Sequence, residues 1–118
     1  KPERVEGTLS CELPKTLVKR NDIHITSKRN FDCFQDTELD MLFKRTLNVK
    51  NIIICGVNTD TCVYGTTFGA SNRGYNPIVI ECCTGSMRGE DQHKTALKIM
   101  SQSIAWVMKK EEILNKLN

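Results

Sequence analysis
The amino-acid sequence predicts an α/β protein built on a parallel sheet. Short runs rich in β-branched residues recur at residues 22–27 (DIHITS), 51–57 (NIIICGV) and 77–81 (PIVIE), the composition expected of strands. Between and after them, apolar residues return at intervals of three and four, the spacing of one helix face. No repeat, linker or shift in composition divides the 118 residues, so the elements belong to one domain. Strands alternating with helices are joined by right-handed crossovers, and such crossovers make neighbouring strands parallel.

In chain order, the first 20 residues carry Pro2, Gly7 and Pro14 among charges and read as loop, with one helical turn near 13–18. Residues 22–27 form the first strand, with Lys28 just past its carboxyl end. Thr37 and Asp40 fit a capping box, after which Leu39, Leu42, Phe43 and Leu47 mark a helical face ending near Asn48. Residues 51–57 read as a strand buried on both faces, and residues 61–73 as a helix that stops at Gly74. The third strand is 77–81, followed by a loop over 83–89. Ala96, Leu97, Met100, Ile104, Val107 and Met108 line a further helix that covers one face of the sheet, and a terminal helix at 111–117 docks through Ile113 and Leu117.

Lysines and arginines are scattered among acidic residues and leave a formal net charge of only +3. A nucleic-acid interface needs a concentrated basic face, so nucleic acid is not an expected partner. The longest apolar run, residues 52–57, is far too short to span a bilayer, and no secretory signal opens the chain. A soluble, cytoplasmic protein with no membrane partner is therefore expected. Six cysteines at positions 11, 33, 55, 62, 82 and 83 include no C-x-x-C pair, which favours reduced thiols over a disulfide framework or a structural zinc site. His24 and His93 are far apart and do not change that expectation, so no metal and no cofactor are assigned.

Ligands of open parallel sheets bind beyond the carboxyl ends of the strands. Lys28, residues 58–62 and residues 82–88 all fall at that edge. Cys62 opens the helix after the second strand, where unpaired backbone N–H groups and the positive end of the helix dipole favour a thiolate. The turn before it, Val57 through Asp60, offers backbone amides to a developing oxyanion. A small cysteine in a helix is as often a packing residue, and on residues alone both readings stand. Lys28 is either a solvated surface lysine or an ammonium that supports thiolate and stabilises charge during acyl transfer.

Cys82 is a rival nucleophile. With Gly85 and Arg88 it matches the C-x-x-G-x-x-R spacing of a cysteine phosphatase loop, in which amides and an arginine hold the phosphate. Glu81 and Gly89 depart from that pattern, standing where a histidine and a Ser or Thr are usual. His93 reads as structural rather than as a proton shuttle, and Gly65 with Gly69 as a bare strip that lets the nucleophile helix approach the sheet or another helix closely.

Three ordered segments also resemble the isochorismatase-like family of cysteine hydrolases. They are GVNTDTCV followed by TTFGASNRGY; the pattern K-x-x-x-x-x-F-x-x-T-x-L at Lys28, Phe34, Thr37 and Leu39; and the run from Ile78 through Cys83 to His93 and Leu97. The resemblance extends from about His24 to Leu114. It implies a three-layer α/β/α fold with a parallel, Rossmann-like sheet, of which this chain supplies about the last three strands. It further implies that Cys62 attacks a carbonyl and forms a thioester, that Lys28 assists, and that the amides of Asn58 and Cys62 make the oxyanion hole. Phe34, Val57 and Thr61 would border the substrate, and a cis peptide would join Val57 to Asn58. Glu81, Cys82 and Cys33 replace the usual Asp, Ala and small residue of the family.

The family's third catalytic residue is an aspartate at the end of its first strand, and the sequence contains no equivalent. Residues 1–118 are thus expected to be the C-terminal part of a single isochorismatase-like domain, with the aspartate and any metal ligands on a preceding, complementing N-terminal segment. The expected function is hydrolysis of a C–N bond in a small amide, ureide or carbamoyl compound through a Cys62 thioester, in a homo-oligomer. The alternatives are a non-catalytic, oligomer-forming relative or fragment and, more distantly, a phosphatase using Cys82 and Arg88.

Overall fold
The computed structural model describes residue 9 and residues 12–118. Half of the opening loop, Cys11 included, falls outside them. Three strands, β1 (Asn51–Val57), β2 (Asn76–Gly85) and β3 (Trp106–Met108), form one parallel sheet in the order β1-β2-β3. Helix α1 (Leu39–Met41) runs into a π-helical turn at Leu42–Thr46, and a second π-helical turn at Thr59–Val63 runs into α2 (Tyr64–Asn72). The chain ends with α3 (Glu90–Ser103) and α4 (Lys110–Leu117). The architecture is the α/β, parallel one that the alternating pattern implied.

The identity of the third strand is different from the expectation. Residues 22–27 are irregular, and Ile23 is 60% exposed. A β-branched run becomes a strand only when a neighbour accepts its backbone hydrogen bonds, and none of the described strands lies beside it. Conversely, Val107 and Met108 are not in the long helix. That helix stops at Ser103, and residues 106–108 pair with Ile78, Val79 and Ile80 at the free edge of β2. Positions 104, 107 and 108 suit a helical period, but so short a run also suits a strand, and the open edge of β2 decides between them.

Strand β2 extends past residue 81 to Gly85, and its pairing with β1 is irregular. Ile54 faces Val79 while Gly56 faces Thr84, so residues 80–83 bulge opposite Cys55. The reciprocal capping box at Thr37 is absent; its hydroxyl donates to the Cys33 carbonyl (2.6 Å) and accepts from the Leu39 amide (3.4 Å). A short 3₁₀ turn at Lys15–Leu17 occupies the expected helical turn.

Two apolar clusters organise these elements. In the first, Ile54 and Val79 of the sheet meet Val63 and the α3 stripe Ala96, Leu97 and Met100, whose spacing places them on one helix face. Ile80 points to the opposite side of the sheet and is also buried, and α4 packs on β2 and buries Ile113. In the second cluster, Phe34 stacks on Tyr75 with ring centroids 5.5 Å apart, Phe43 meets both rings edge-on, and Ala70 closes the group. This cluster fixes residues 31–34 and α1 against the end of α2. Strand β1 is not buried on both faces as expected: only Ile54 is buried, Ile53 and Val57 are exposed, and β1 is an edge strand among the described residues, with no described strand to cover its free edge.

Candidate active site
The turn between β1 and α2 is built from Val57 to Val63, and the Val57–Asn58 peptide is cis, as the resemblance implied. The Asn58 carbonyl accepts from the amides of Thr61 (3.2 Å) and Val63 (3.1 Å). The second of these bonds is the wide, π-type closure that carries Cys62 into the first turn ahead of α2.

Three clasps hold this turn. The Asn58 side-chain oxygen accepts from the Met87 amide at 3.0 Å. Asp60 accepts from the Ser86 hydroxyl at 2.7 Å and from the Arg88 guanidinium at 3.0 Å, and these partners, the serine first, hold its carboxyl below the usual carboxylate range. Beneath them Thr59, fully buried, shares a 2.7 Å hydrogen bond with Nδ1 of buried His93. His93 is therefore structural, and the loop after β2 is fastened to the turn before α2, as the strand-edge argument anticipated.

Lys28 meets this turn from the other side, its Nζ donating to Cys62 Sγ at 3.9 Å. Lysine and cysteine are 34 positions apart in sequence, and both line a cavity of about 340 Å³. Its walls are largely apolar, from Phe34, Leu39, Phe43 and the β1 residues 52–57, with Thr66 as a polar group. Val57 is at the exposed rim. Phe34 is a wall residue, but at 3% exposure it is also the centre of the aromatic cluster. Thr61, half-buried, is in the same turn as Cys62 but does not line this cavity.

Two further thiols line the cavity, and their environments set them apart. Burial pushes the Cys33 thiol up, only partly offset by its bond to Thr66. Burial likewise pushes Cys55 up, reinforced by Cys83 and Cys82 opposite it. Both favour the neutral thiol. The five described cysteines are free.

The phosphatase reading of Cys82 fails on geometry. Residues 82–85 belong to strand β2 rather than to a curled loop, and the Cys82 sulfur lies 4.0 Å from Cys83. Arg88, which would have to hold the phosphate, is paired with Asp60.

Sequence reasoning missed the side chains that hold the site together: Asn58, Thr59 and Asp60 on the turn, and Asp32 beside α2. Asp32 accepts from Arg73 at 3.0 Å and from the Phe34 amide at 2.8 Å. The close glycine pair gave a partial signal. Gly65 and Gly69 do admit a close neighbour, but it is the 31–32 segment rather than the sheet or another helix.

The isochorismatase domain model matches residues 1–112. The uncharacterized isochorismatase family protein YecD of Escherichia coli O157:H7 is 32% identical over 97 residues, covering 82% of this chain and 50% of the relative. YwoC of Bacillus subtilis, another uncharacterized isochorismatase family protein, is 27% identical over 105 residues, covering 89% and 54%. Among solved structures, an isochorismatase-like hydrolase from Alkaliphilus metalliredigens superposes with a TM-score of 0.89 at 26% identity, over 98% of this chain and 63% of that one. The nicotinamidase SaPncA from Staphylococcus aureus superposes with a TM-score of 0.66 at 32% identity, over 70% and 50%. The chain spans about half the length of the curated relatives it matches. With a family model covering nearly the whole chain, and with relatives and structures agreeing with it, the chain belongs to the isochorismatase family.

Proposed function
We propose that this chain carries the nucleophile half of a cysteine hydrolase that cleaves the C–N bond of a small amide, ureide or carbamoyl compound. The observation that carries the proposal is the Lys28 ammonium 3.9 Å from the Cys62 sulfur, at the wall of a cavity sized for a small molecule. The Cys62 thiolate attacks the carbonyl carbon, forming a C–S bond and placing negative charge on the oxygen. The amides of Asn58 and Cys62 receive that oxygen, and Lys28 adds a positive charge beside it. As the C–N bond breaks, the departing nitrogen takes up the proton that left the thiol, and a thioester remains on Cys62. Water then adds to the thioester, its proton returns to sulfur, and the acid leaves.

The group that moves these protons is proposed to be an aspartate on a complementing segment. Asp32 and Asp60 already hold structural partners, and β1 has an unpaired edge among the described residues, with Ile53 and Val57 exposed. The greater length of the relatives agrees with such a segment. Phe34, Val57 and Thr61 are proposed to shape the substrate end of the cavity, and the protein to act as a homo-oligomer in the cytoplasm. Among the described residues, no helix is long and apolar enough to cross a membrane.

Limiting alkylation read by peptide mass spectrometry tests the choice of nucleophile. Cys62 should be modified before Cys82, Cys83 and Cys55, and its modification should stop ammonia release from a panel of small amides and ureides. Preferential labelling of Cys82, or full labelling of Cys62 without loss of turnover, would contradict the assignment. Absence of turnover with every compound when the complementing segment is present would favour a non-catalytic family member.

A further inference from the structure
We infer that Asp32 is the positioning residue that sets the Lys28–Cys62 apposition, by riveting the lysine segment to the helix face that carries the nucleophile. The inference rests on the functional reading of Cys62 and Lys28 given above. Cys62, Thr66, Gly69 and Arg73 follow one another at intervals of four, three and four, so the nucleophile and the three docking positions share one helical stripe.

Residues 31–33 lie along that stripe. The Thr66 hydroxyl accepts from the Cys33 amide at 3.1 Å and donates to the Phe31 carbonyl at 3.3 Å. The Asp32 carboxylate lies directly on the bare backbone of Gly69, where an added methyl would fall on the carboxylate itself. Arg73 then closes the contact, its guanidinium donating at 3.0 Å both to Asp32 Oδ2 and to the Gly69 carbonyl. The other carboxylate oxygen takes the Phe34 amide at 2.8 Å, turning Phe34 into the aromatic cluster. One side chain thus grips the helix with one oxygen and its own strand of chain with the other.

Lys28 stands four residues before this rivet, which carries its segment onto α2. Residues 22–29 pair with no described strand, and Lys28 itself is exposed. The Ser27 hydroxyl donates to Glu38 at 2.6 Å, but that bond ties the segment to the start of α1 and not to α2. The contacts from residue 31 onward therefore bear on the position of the ammonium relative to sulfur. A half-buried, charge-assisted contact of this kind resists displacement better than an exposed ion pair.

The test is a double-mutant cycle read by the peptide-resolved alkylation rate of Cys62, with the Cys82 rate as internal reference and Tm recorded for each variant. Lys28→Met should slow Cys62 alkylation by about threefold or more, Asp32→Ala by a similar factor, and the double variant no further, because contacting groups that act as one unit are not additive. The Cys82 rate should stay constant. A slow Lys28→Met with an unchanged Asp32→Ala would overturn the positioning role and leave the functional reading standing. An additive double variant would also overturn it, since Asp32 would then act independently of the lysine. An unchanged Lys28→Met would overturn the role of the lysine and this inference with it. If Asp32→Ala does not fold, Arg73→Gln removes the helix side of the rivet, together with the guanidinium over the Phe34 ring, and takes its place in the cycle.

Discussion

At the scale of single residues, the same side-chain type has different fates according to its surroundings. Cys33 and Cys55 share the cavity with Cys62, yet burial favours their neutral thiols, while Cys62 has a lysine nitrogen within reach. Replacing Cys62 by Ala should abolish turnover, whereas Lys28→Met should lower kcat by roughly 10²-fold, the scale of losing one electrostatic stabiliser of the transition state. Steady-state kinetics on the best amide found would check both, and a Lys28→Met variant with unchanged kcat would contradict the role given to the lysine. Cys62 could be proposed from the sequence because its signals are local, a thiol at the start of a helix after a β-branched strand and a family-like motif around it. Asp32 was not, since its partner Arg73 is 41 positions away and only folding brings them together.

At the scale of elements, the β1 turn is held in place by clasps from other parts of the chain. Thr59→Val would leave the His93 ring nitrogen buried without its partner, and should cost about 1–3 kcal/mol in urea unfolding. Gly69→Ala would force the new methyl onto the Asp32 carboxylate, and a cost of about 1–3 kcal/mol is expected from such overpacking. In an Asp32→Ala background that cost should largely disappear, because the obstructing carboxylate is gone. The sequence located β1, the turn and α2 because a β-branched run, a turn and a glycine stop agree with one another. It misplaced residues 22–27 and 106–108 because a strand also needs a neighbour. The first run has none among the described residues, and the second finds the edge of β2.

At the scale of the whole molecule, pH decides stability. Burial, and then the hydrogen bond to Asp40, push Tyr75 up to about 12, while the same bond lowers the Asp40 carboxyl. Tyr75 thus holds its proton more tightly folded than unfolded, and stability should fall as pH rises from about 10 to 12. Asp40 and Asp60 hold theirs less tightly when folded, so their contribution is present above the ordinary carboxylate range and lost as pH drops below it. Urea unfolding across pH should therefore show a plateau with an acid and an alkaline flank, and Tyr75→Phe should remove the alkaline flank that this residue supplies. The family could be identified from three ordered motifs, but what covers the β1 edge, unpaired among the described residues, was not legible in them. The proposed role of Cys62 as the acylated nucleophile is tested most directly by trapping the intermediate. Acid quench of turnover with a small amide, followed by peptide mapping, should place the acyl mass on the peptide containing Cys62 and nowhere in the Cys62→Ala variant. The same mass on Cys82, or turnover that persists without any acylated Cys62, would contradict the account.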